Sequence, residues 1–464
     1  MNDISSEPKI PQSIEAEQQV LGAILVNNDL AHKLGGVIGV ADFYDPVHGR
    51  IFEHAMGMIS RDKLASPVTV RAAMESDEGL AELGGPAYLA RLAGASMSSS
   101  FIKDYAQQVK EMARRRSVLE VCRDAMERIN GDQDASVAMA ELEMFIHRQE
   151  PTDEPRSMSL LKAHTEAIIE ADQIRLGNIT AIPSGLSSLD ENVSFMRGRY
   201  TILAGTTSMG KTAMAQWISY SAAKAGFGVG FVSLEMTEID LARRMNSIES
   251  RVPYKVQDRP MSENVFRKVI DAARAQESLP VEIFSARVND LPSIISEAKK
   301  LQKKQEPNGN FKGMGLLVID YIQLVKGKGT DFEVLSTVAN DLKQVAKLLN
   351  VHVIALAQVG TKVMERDNPR PGLSDMRGSG DLGMAPDNVI FCHRPEYYLE
   401  RKEKPKASNA EGWADYQAAL DASRGKMELI IGKARMGELA TITVGCDMGT
   451  NRFWDLASTQ EMEF

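Results

Sequence analysis

The first part of the chain carries apolar residues at the spacing of an α-helix and has few continuous β-branched runs. One apolar stripe runs from Ile14 to Leu25, and Ser13 is placed to cap that helix. A longer stripe indicates a second helix from Ile102 to about Ile129. The pattern therefore predicts an all-helical N-terminal domain over residues 1–150.

From Tyr200 onward the pattern changes to short apolar runs that alternate with helical segments, which is typical of an α/β fold. The apolar positions between Val334 and Leu349 keep a helical spacing and mark one of these helices clearly. A mostly parallel sheet covered by helices accounts for the alternation. The predicted strands cover residues 200–204, 229–234, 281–284, 316–319, 351–357, 388–392, 428–431 and 440–444.

A polar segment separates these two parts of the chain. Residues 150–155 contain two prolines and no large apolar side chain, which is typical of a stiff, solvated linker. An amphipathic helix follows, with apolar positions from Leu160 to Ile174, and Gly177-Asn178 ends it. From the residues alone, its apolar face can pack either on its own chain or on a neighbouring subunit. We therefore divide the chain into residues 1–150, a linker over 151–180 and an α/β domain over 181–464.

Composition narrows the classes of function. The chain has 464 residues with 43% hydrophobic and 25% charged residues, which is ordinary for a globular protein. A net charge of -9 argues against a broad basic face, so any nucleic acid would have to bind in a local channel. Three widely separated cysteines argue against a zinc module or a disulfide framework. Without a long apolar run or a signal-peptide pattern, we expect a cytoplasmic protein that does not engage a membrane.

A glycine-rich segment lies between the first predicted strand of the sheet and the helix after it. Residues 205–212, Gly-Thr-Thr-Ser-Met-Gly-Lys-Thr, fit the GxxxxGK[ST] pattern of a phosphate-binding loop. In such a loop, backbone N–H groups surround a phosphate, Lys211 neutralises the β- and γ-phosphate oxygens and the Thr212 hydroxyl binds Mg²⁺. A chance match is the alternative, although the flanking strand and helix both fit. The candidate nucleotide-binding residues are Gly205, Thr206, Thr207, Ser208, Met209, Gly210, Lys211 and Thr212.

Polar residues also follow three of the predicted strands. Asp320 ends the strand at 316–319, where a carboxylate can hold the Mg²⁺ of a bound nucleotide. Glu235 ends a second strand and can deprotonate an attacking water, and Gln358 ends a third and can sense a γ-phosphate. Taken singly, Glu235 and Gln358 are as easily ordinary polar residues of loops. Because the carboxyl ends of parallel strands share one edge of a sheet, we expect all three side chains to lie near the phosphate loop.

Taken in order along the chain, these motifs resemble the DnaB-type replicative DNA helicases, which are hexameric RecA-like motors. The resemblance covers nearly the whole sequence. In the N-terminal part it rests on residues 13–18 (Ser-Ile-Glu-Ala-Glu-Gln), 42–44 (Asp-Phe-Tyr) and 84–89 (Gly-Gly-Pro-Ala-Tyr-Leu). In the C-terminal part it rests on residues 208–212, 233–236 (Ser-Leu-Glu-Met), 318–324 (Val-Ile-Asp-Tyr-Ile-Gln-Leu), 355–358 (Ala-Leu-Ala-Gln) and 374–377 (Ser-Asp-Met-Arg).

The resemblance assigns roles to the candidate residues. It implies that Lys211 and Thr212 form the Walker A pair, that Asp320 is the Walker B acid, that Glu235 is the catalytic glutamate and that Gln358 senses the γ-phosphate. These roles agree with those inferred from the residues themselves.

The resemblance also implies contacts beyond one protomer. Lys433 and Arg435 would reach into the nucleotide site of the next subunit, and residues 157–176 would form a linker helix that packs on an adjacent subunit. Single-stranded DNA would contact the long segment between the strands at 351–357 and 388–392. The candidate DNA-binding residues there are Lys362, Arg366, Arg377, Gly378, Ser379 and Gly380.

As a function, the resemblance implies a homohexameric helicase that uses ATP and Mg²⁺. Such an enzyme moves 5′ to 3′ along single-stranded DNA, unwinds duplex at the replication fork and works with a primase and a helicase loader. The chain departs from the family's usual residues at Thr206-Thr207, at Val359-Gly360-Thr361, at Gly378 and at Met436, which marks it as a divergent member.

Two other classes share parts of this pattern. A RecA- or RadA-like recombination ATPase has the same motor core, but the chain lacks the CxxC zinc module and has an N-terminal helical domain unlike those proteins. A replication adaptor without motor activity would keep the fold, but it would not need Lys211, Thr212, Glu235 and Asp320 together.

Overall fold

The structure is a computed structural model that describes residues 10–34, 37–95, 101–131, 135–149, 159–304, 311–327, 329–376, 380–401 and 410–456. The chain divides into two compact units, Met1–Phe145 and Ile146–Phe464. The linker predicted at 150–155 lies outside the described residues, and the domain boundaries at 150 and 180 stay predictions.

The first unit is built from helices, as the apolar spacing predicts. Most of the apolar residues of the first helix are buried against the helices around it, and this packing forms the core of the unit. The helices are α1 (Ile14–Val26), α2 (Ala31–Leu34), α3 (Pro46–Ile59), α4 (Pro67–Ala73), α5 (Glu78–Glu82), α6 (Pro86–Ala95) and α7 (Ile102–Asn130), and α8 (Ala135–Gln149) runs past the end of the unit. One detail of the prediction is wrong. Ser13 precedes α1, but its side chain makes no capping hydrogen bond there and instead accepts a hydrogen bond from Gln108 Nε2 at 3.1 Å.

A buried polar chain connects three of the helices of this unit. Glu17 on α1 is 1% exposed and receives a hydrogen bond from the backbone N–H of Tyr44 at 2.7 Å. His48 on α3 lies 2.7 Å from Glu17 through Nδ1 and 2.5 Å from the Tyr88 hydroxyl of α6 through Nε2. Since burying an unpaired polar group costs free energy, these residues depend on one another. The three N-terminal motifs noted in the sequence meet at this chain of contacts.

The second unit contains a nine-stranded sheet in the order β3-β2-β4-β5-β1-β6-β7-β8-β9. The six strands from β3 to β6 are parallel, and the remaining three pair antiparallel. The strands are β1 (Tyr200–Gly205), β2 (Gly228–Ser233), β3 (Val281–Phe284), β4 (Met314–Asp320), β5 (His352–Gln358), β6 (Asn388–His393), β7 (Lys426–Ala434), β8 (Thr441–Asp447) and β9 (Arg452–Asp455). The predicted α/β class is therefore confirmed, and only β9 has no counterpart among the predicted strands.

Two helices of this unit precede its first strand, and the others lie between the strands in sequence. They are α9 (Leu160–Arg175), α10 (Ser187–Asp190), α11 (Lys211–Lys224), α12 (Glu238–Ser250), α13 (Glu263–Gln276), α14 (Leu291–Lys304), α15 (Asp331–Leu348), α16 (Gly380–Met384), α17 (Pro395–Arg401) and α18 (Ala410–Ser423). Strands β1, β2 and β4 are buried along their whole length, as expected for parallel strands covered on both faces.

Helix α9 forms where the amphipathic pattern predicts it, and Gly177 follows with a φ of 75° that suits a helix end. None of its residues is buried in the described structure. Leu160 and Leu161 are 72% and 78% exposed, and Ile168 is 69% exposed. Of the two readings of this apolar stripe, packing on its own chain finds no support in the described part of the chain.

Within the described residues, no helix combines the length and the apolar character that crossing a membrane requires.

We predict that His352 makes the stability of the second unit depend on pH. This side chain is fully buried between the Thr201 hydroxyl and the Met196 carbonyl, and burial lowers its pKa to about 4. The unfolded chain therefore takes up a proton as the pH falls from about 6.5 to about 4, while the folded chain resists it, so stability is lost on acidification. His352→Gln should remove about 3 kcal/mol of this loss, on the order expected for such a pKa difference. Urea unfolding between pH 8 and pH 4.5 measures the effect, and the exposed His32→Gln is the control. An unchanged pH slope in His352→Gln would contradict the assignment.

Candidate nucleotide-binding site

The predicted phosphate loop connects the carboxyl end of β1 to the first residue of α11. Ser208 and Gly210 have φ angles of 66° and 89°, which turn the backbone sharply before the helix begins at Lys211. A Cβ atom on Gly205 would lie 2.9 Å from the carbonyl oxygen of Cys392, so glycine is required there by the close approach of β6. The N-terminus of α11 therefore points its free N–H groups into the loop, where an anion would be stabilised.

Lys211 and Thr212 are held in place by the loop and by the neighbouring strand. The Lys211 ammonium donates hydrogen bonds to the carbonyl oxygens of Gly205 and Thr206, both at 2.9 Å. Burial lowers the pKa of Lys211, while the nearby charges of Asp320 and Glu235 oppose that change. The Thr212 hydroxyl donates a 2.8 Å hydrogen bond to Asp320 Oδ2.

Asp320 ends β4 and is almost fully buried. Burial raises the pKa of this carboxyl group to about 6, and the charge of Glu235 acts in the same direction. The hydrogen bond from Thr212 and the positive charges of Lys211 and Arg244 favour the ionised form. A buried carboxylate beside a threonine hydroxyl is an oxygen ligand set that suits Mg²⁺, which usually takes one or two carboxylates and the phosphates of its nucleotide.

The residues predicted at the strand ends meet in one cavity of about 520 Å³. Lys211, Thr212, Glu235, Asp320 and Gln358 all line it. Of the eight predicted loop residues, five line the cavity, whereas Gly205, Thr206 and Met209 do not. Thr206 instead contacts the Tyr398 hydroxyl at 2.9 Å, so this departure from the family pattern anchors the loop to α17.

Arg244 is a lining residue that the sequence reasoning missed. It lies on α12 between Leu241, Met245 and Ile248, which are the buried residues of that helix face. Its guanidinium stacks on the Tyr254 ring at 4.5 Å, and its Nε atom is buried without a hydrogen-bond partner in the described structure. The sequence signal that could have identified Arg244 is a charged residue within the apolar stripe of the helix that follows Glu235. Further residues at the cavity are Lys255, Arg394, Tyr397 and Met448.

Lys433 and Arg435 lie far from this cavity, at the opposite edge of the sheet. Lys433 pairs with Val389 near the amino end of β6, and the backbone N–H of Arg435 donates to Asp387, the residue before that strand. The Lys433 ammonium donates to the carbonyl oxygens of Gly383 and Met384 at 3.0 and 2.6 Å. Neither cation can reach the phosphate loop of its own chain.

The segment predicted to bind DNA is only partly described. Lys362 is exposed on a short 3₁₀ turn, Thr361–Glu365. Arg366 forms a two-pronged ion pair with Asp375, so its charge is partly neutralised. Arg377, Gly378 and Ser379 lie outside the described residues, and Gly380 begins α16. The roles of all these residues in binding stay predictions.

Comparison with known proteins places the chain in a family. Residues 181–455 match the DnaB-like helicase C terminal domain, and residues 9–111 match the DnaB-like helicase N terminal domain. The replicative DNA helicase DnaB of Geobacillus stearothermophilus is 30% identical over 470 residues, which cover 98% of this chain and 97% of that protein. DnaB of Rickettsia bellii is 29% identical and covers 96% of this chain and 93% of its own length.

A solved structure of a DnaB-like replicative helicase with its interactions with primase is also similar. It is 25% identical with a TM-score of 0.54, and the match covers 96% of this chain and 100% of that one. The RecA-like fold and the helicase function implied by the sequence motifs are thereby confirmed, against the recombination ATPase and the adaptor without motor activity. The chain belongs to the DnaB-like helicases and is an ATP-dependent replicative DNA helicase.

Proposed function

We propose that this chain works as a homohexameric ring that moves 5′ to 3′ along single-stranded DNA and hydrolyses ATP at sites shared by neighbouring protomers. The observation that supports the proposal is that the residues of the nucleotide cavity and the two predicted trans-acting cations lie at opposite edges of the sheet. Lys211, Thr212, Glu235 and Asp320 meet in a cavity at the carboxyl edge, while the cations predicted to act on phosphate lie at the amino edge.

The length of the strands sets this separation. Ala434 on β7 pairs with Asn388 on β6, which in turn pairs with Thr201 near the start of β1. Arg435 follows Ala434, whereas Gly205 lies at the other end of β1. At a rise of about 3.3 Å per residue, roughly 15 Å of strand lies between Arg435 and the phosphate loop. A cation at that distance acts on a nucleotide only when the nucleotide belongs to another protomer. Lys433 and Arg435 of one protomer therefore complete the site of the next.

Each of these residues then has its own role in ATP hydrolysis. The phosphate-loop amides and Lys211 hold the triphosphate, and Gln358 contacts its γ-phosphate. The Glu235 carboxylate accepts a proton from the water that attacks the γ-phosphorus. The bond between that phosphorus and the bridging oxygen breaks, and ADP leaves with the electron pair. Lys433 and Arg435 of the neighbouring protomer stabilise the charge that develops on the phosphate oxygens.

Thr212 and Asp320 would hold the Mg²⁺ that accompanies ATP. The hydroxyl and the carboxylate lie 2.8 Å apart at the wall of the cavity, and both are the hard oxygen ligands that this ion prefers. When bound, Mg²⁺ neutralises part of the phosphate charge and orients the triphosphate.

Helix α9 supplies a contact for ring assembly. Its exposed leucines and isoleucines need an apolar partner, and the described part of the second unit offers an apolar groove of about 390 Å³ between α12, α13 and β3. Ile239, Met245 and Ile283 are among the residues that line this groove. We infer that α9 of one protomer packs into the groove of its neighbour.

DNA and protein partners follow from the same assembly. Six copies of the segment with Lys362, Arg366 and residues 377–380 would surround a central pore and concentrate positive groups there, despite the net charge of -9. A similar helicase structure is described with primase, and we propose that the N-terminal unit binds a primase and a helicase loader. We also propose that the protein works in the cytoplasm, either of a bacterium or of the host of a phage that encodes it.

Unwinding of a labelled forked duplex with either a 5′ or a 3′ loading tail tests the direction of movement. With ATP and Mg²⁺, we expect unwinding only from the 5′ tail, because the family-type motor encircles that strand. Lys211→Ala should abolish it, since the variant loses the cation of the phosphate loop. Unwinding from the 3′ tail alone would contradict the proposed polarity.

Mixed rings test the sharing of sites between protomers. Glu235→Gln should slow hydrolysis by at least ~100-fold, because a positioned base contributes roughly 10²–10⁴. Arg435→Ala should also lose hydrolysis, but mixing the two variants should restore part of it, since some interfaces then combine an intact Glu235 with an intact Arg435. ATP turnover of rings shown to be mixed is the measurement, and each variant alone is the control. Mixed rings as inactive as the single variants would rule out action across the interface.

Arg244 should help to distinguish ATP from ADP. Its guanidinium lines the cavity and meets no carboxylate there within hydrogen-bonding distance in the described structure, so a third phosphate gives it a partner. We expect Arg244→Gln to weaken binding of a fluorescent ATP analogue about 10-fold, the loss of roughly one charge-assisted hydrogen bond, and to affect an ADP analogue less. Arg267→Gln is the control, because Arg267 is exposed on α13 and pairs with Glu263 away from the cavity. Equal losses for both nucleotides would contradict a γ-phosphate contact.

A further inference from the structure

Asp387 is a buried carboxylate at the amino edge of the sheet, outside the nucleotide cavity. It immediately precedes β6 and is 3% exposed. Its carboxylate accepts a hydrogen bond from the Tyr200 N–H at 2.9 Å, and its own N–H donates to the Tyr200 carbonyl at 2.8 Å. The Lys343 ammonium of α15 forms a salt bridge with the same carboxylate. Asp387 is therefore fixed to the start of β1, the strand whose other end is the phosphate loop.

Arg435 is a further partner of Asp387 in the described structure. The backbone N–H of Arg435 donates to the Asp387 carbonyl at 2.9 Å, and Nη1 lies 3.3 Å from Asp387 Oδ1. The Arg435 side chain is nevertheless 61% exposed. The backbone and one guanidinium nitrogen of Arg435 are thus held, while most of its side chain is exposed.

The charge of Asp387 is suited to this contact. Burial alone would raise the pKa of the carboxyl group, but the hydrogen bonds from Lys343 and Tyr200 outweigh burial and lower it. The group is therefore ionised at neutral pH and presents a fixed negative charge to the guanidinium. Lys433 lies beside it and is held by the carbonyl oxygens of Gly383 and Met384, so both cations rest on the short segment that ends at Asp387.

We propose that Asp387 is a positioning residue for Arg435, which orients the guanidinium toward the nucleotide site of the neighbouring protomer. This inference rests on the proposed role of Arg435 across the interface. A long arginine side chain in solvent samples many rotamers, and a carboxylate that binds one edge of the guanidinium restricts it while leaving its other donors free. Because hydrolysis depends on the geometry of the stabilising charge, this restriction acts on turnover and not on nucleotide binding.

Two variants separate this role from simple stability. Asp387→Asn and Lys343→Met both break the Lys343–Asp387 salt bridge, but only the first removes the negative charge that Arg435 meets. We expect Asp387→Asn to lower kcat for ATP about 10-fold with KM within twofold of wild type, and Lys343→Met to keep kcat within twofold. Thermal unfolding should show comparable losses of Tm in both variants.

Two further measurements test whether Asp387→Asn lowers turnover through Arg435. Asp387→Asn combined with Arg435→Ala should be no slower than Arg435→Ala alone, because the positioned group is already absent. Mixed rings of Asp387→Asn and Glu235→Gln should regain turnover, since the two substitutions damage opposite faces of the shared site. If Asp387→Asn does not fold, the double variant Asp387→Asn/Lys343→Met replaces it, because it leaves no unpaired buried charge.

The outcomes distinguish a failure of the proposed role of Arg435 from a failure of the proposed role of Asp387. Wild-type turnover in Arg435→Ala would overturn the proposed action of Arg435 across the interface. Slow turnover in Arg435→Ala together with equal kcat values in Asp387→Asn and Lys343→Met would overturn the role of Asp387 alone. Additive losses in the Asp387→Asn/Arg435→Ala double variant would do the same.

Discussion

The parallel register of β1, β4 and β5 is the constraint on which the rest of the second unit depends. Because these strands run in one direction and are buried, their carboxyl ends deliver Gly205, Asp320 and Gln358 to one edge without further adjustment. The antiparallel return through β7 then places Lys433 and Arg435 at the other edge. The sheet therefore separates the residues of the nucleotide cavity from these two cations. If Lys433 and Arg435 act on ATP as proposed, the topology of the sheet requires that they do so on the nucleotide of a second protomer.

Much of this arrangement could be predicted from the sequence because it depends on local patterns. The continuous apolar strands, the phosphate loop and the amphipathic α9 each carry a signal of their own. The antiparallel β9 was missed, since Arg452–Asp455 is short and gains its structure from pairing with β8. The cap expected at Ser13 does not form, and its hydroxyl instead accepts a hydrogen bond from Gln108, a residue 95 positions away. Contacts of that kind, like the stacking of Arg244 on Tyr254, are set by tertiary packing.

The charged groups of the motor unit show how an acidic chain can keep selected cations available. Arg366 and Arg370 are paired with Asp375 and Glu428 and are thus partly neutralised. Lys211 is held by carbonyl oxygens, which fix its position without cancelling its charge. Lys211 therefore offers its positive charge to a phosphate, whereas Arg366 and Arg370 share theirs with a carboxylate.

The polar chain of Glu17, His48 and Tyr88 limits which substitutions the helical unit of this protein can accept. Each of the three side chains has its polar atoms committed to the next, and His48 has no exposed surface through which water could substitute for a lost partner. A single replacement therefore leaves a neighbour unsatisfied, so these positions are expected to change together or not at all. The rest of the helical core is apolar and tolerates exchanges of similar volume one at a time. Within this unit, single substitutions are therefore expected to be tolerated least at these three hydrogen-bonded side chains.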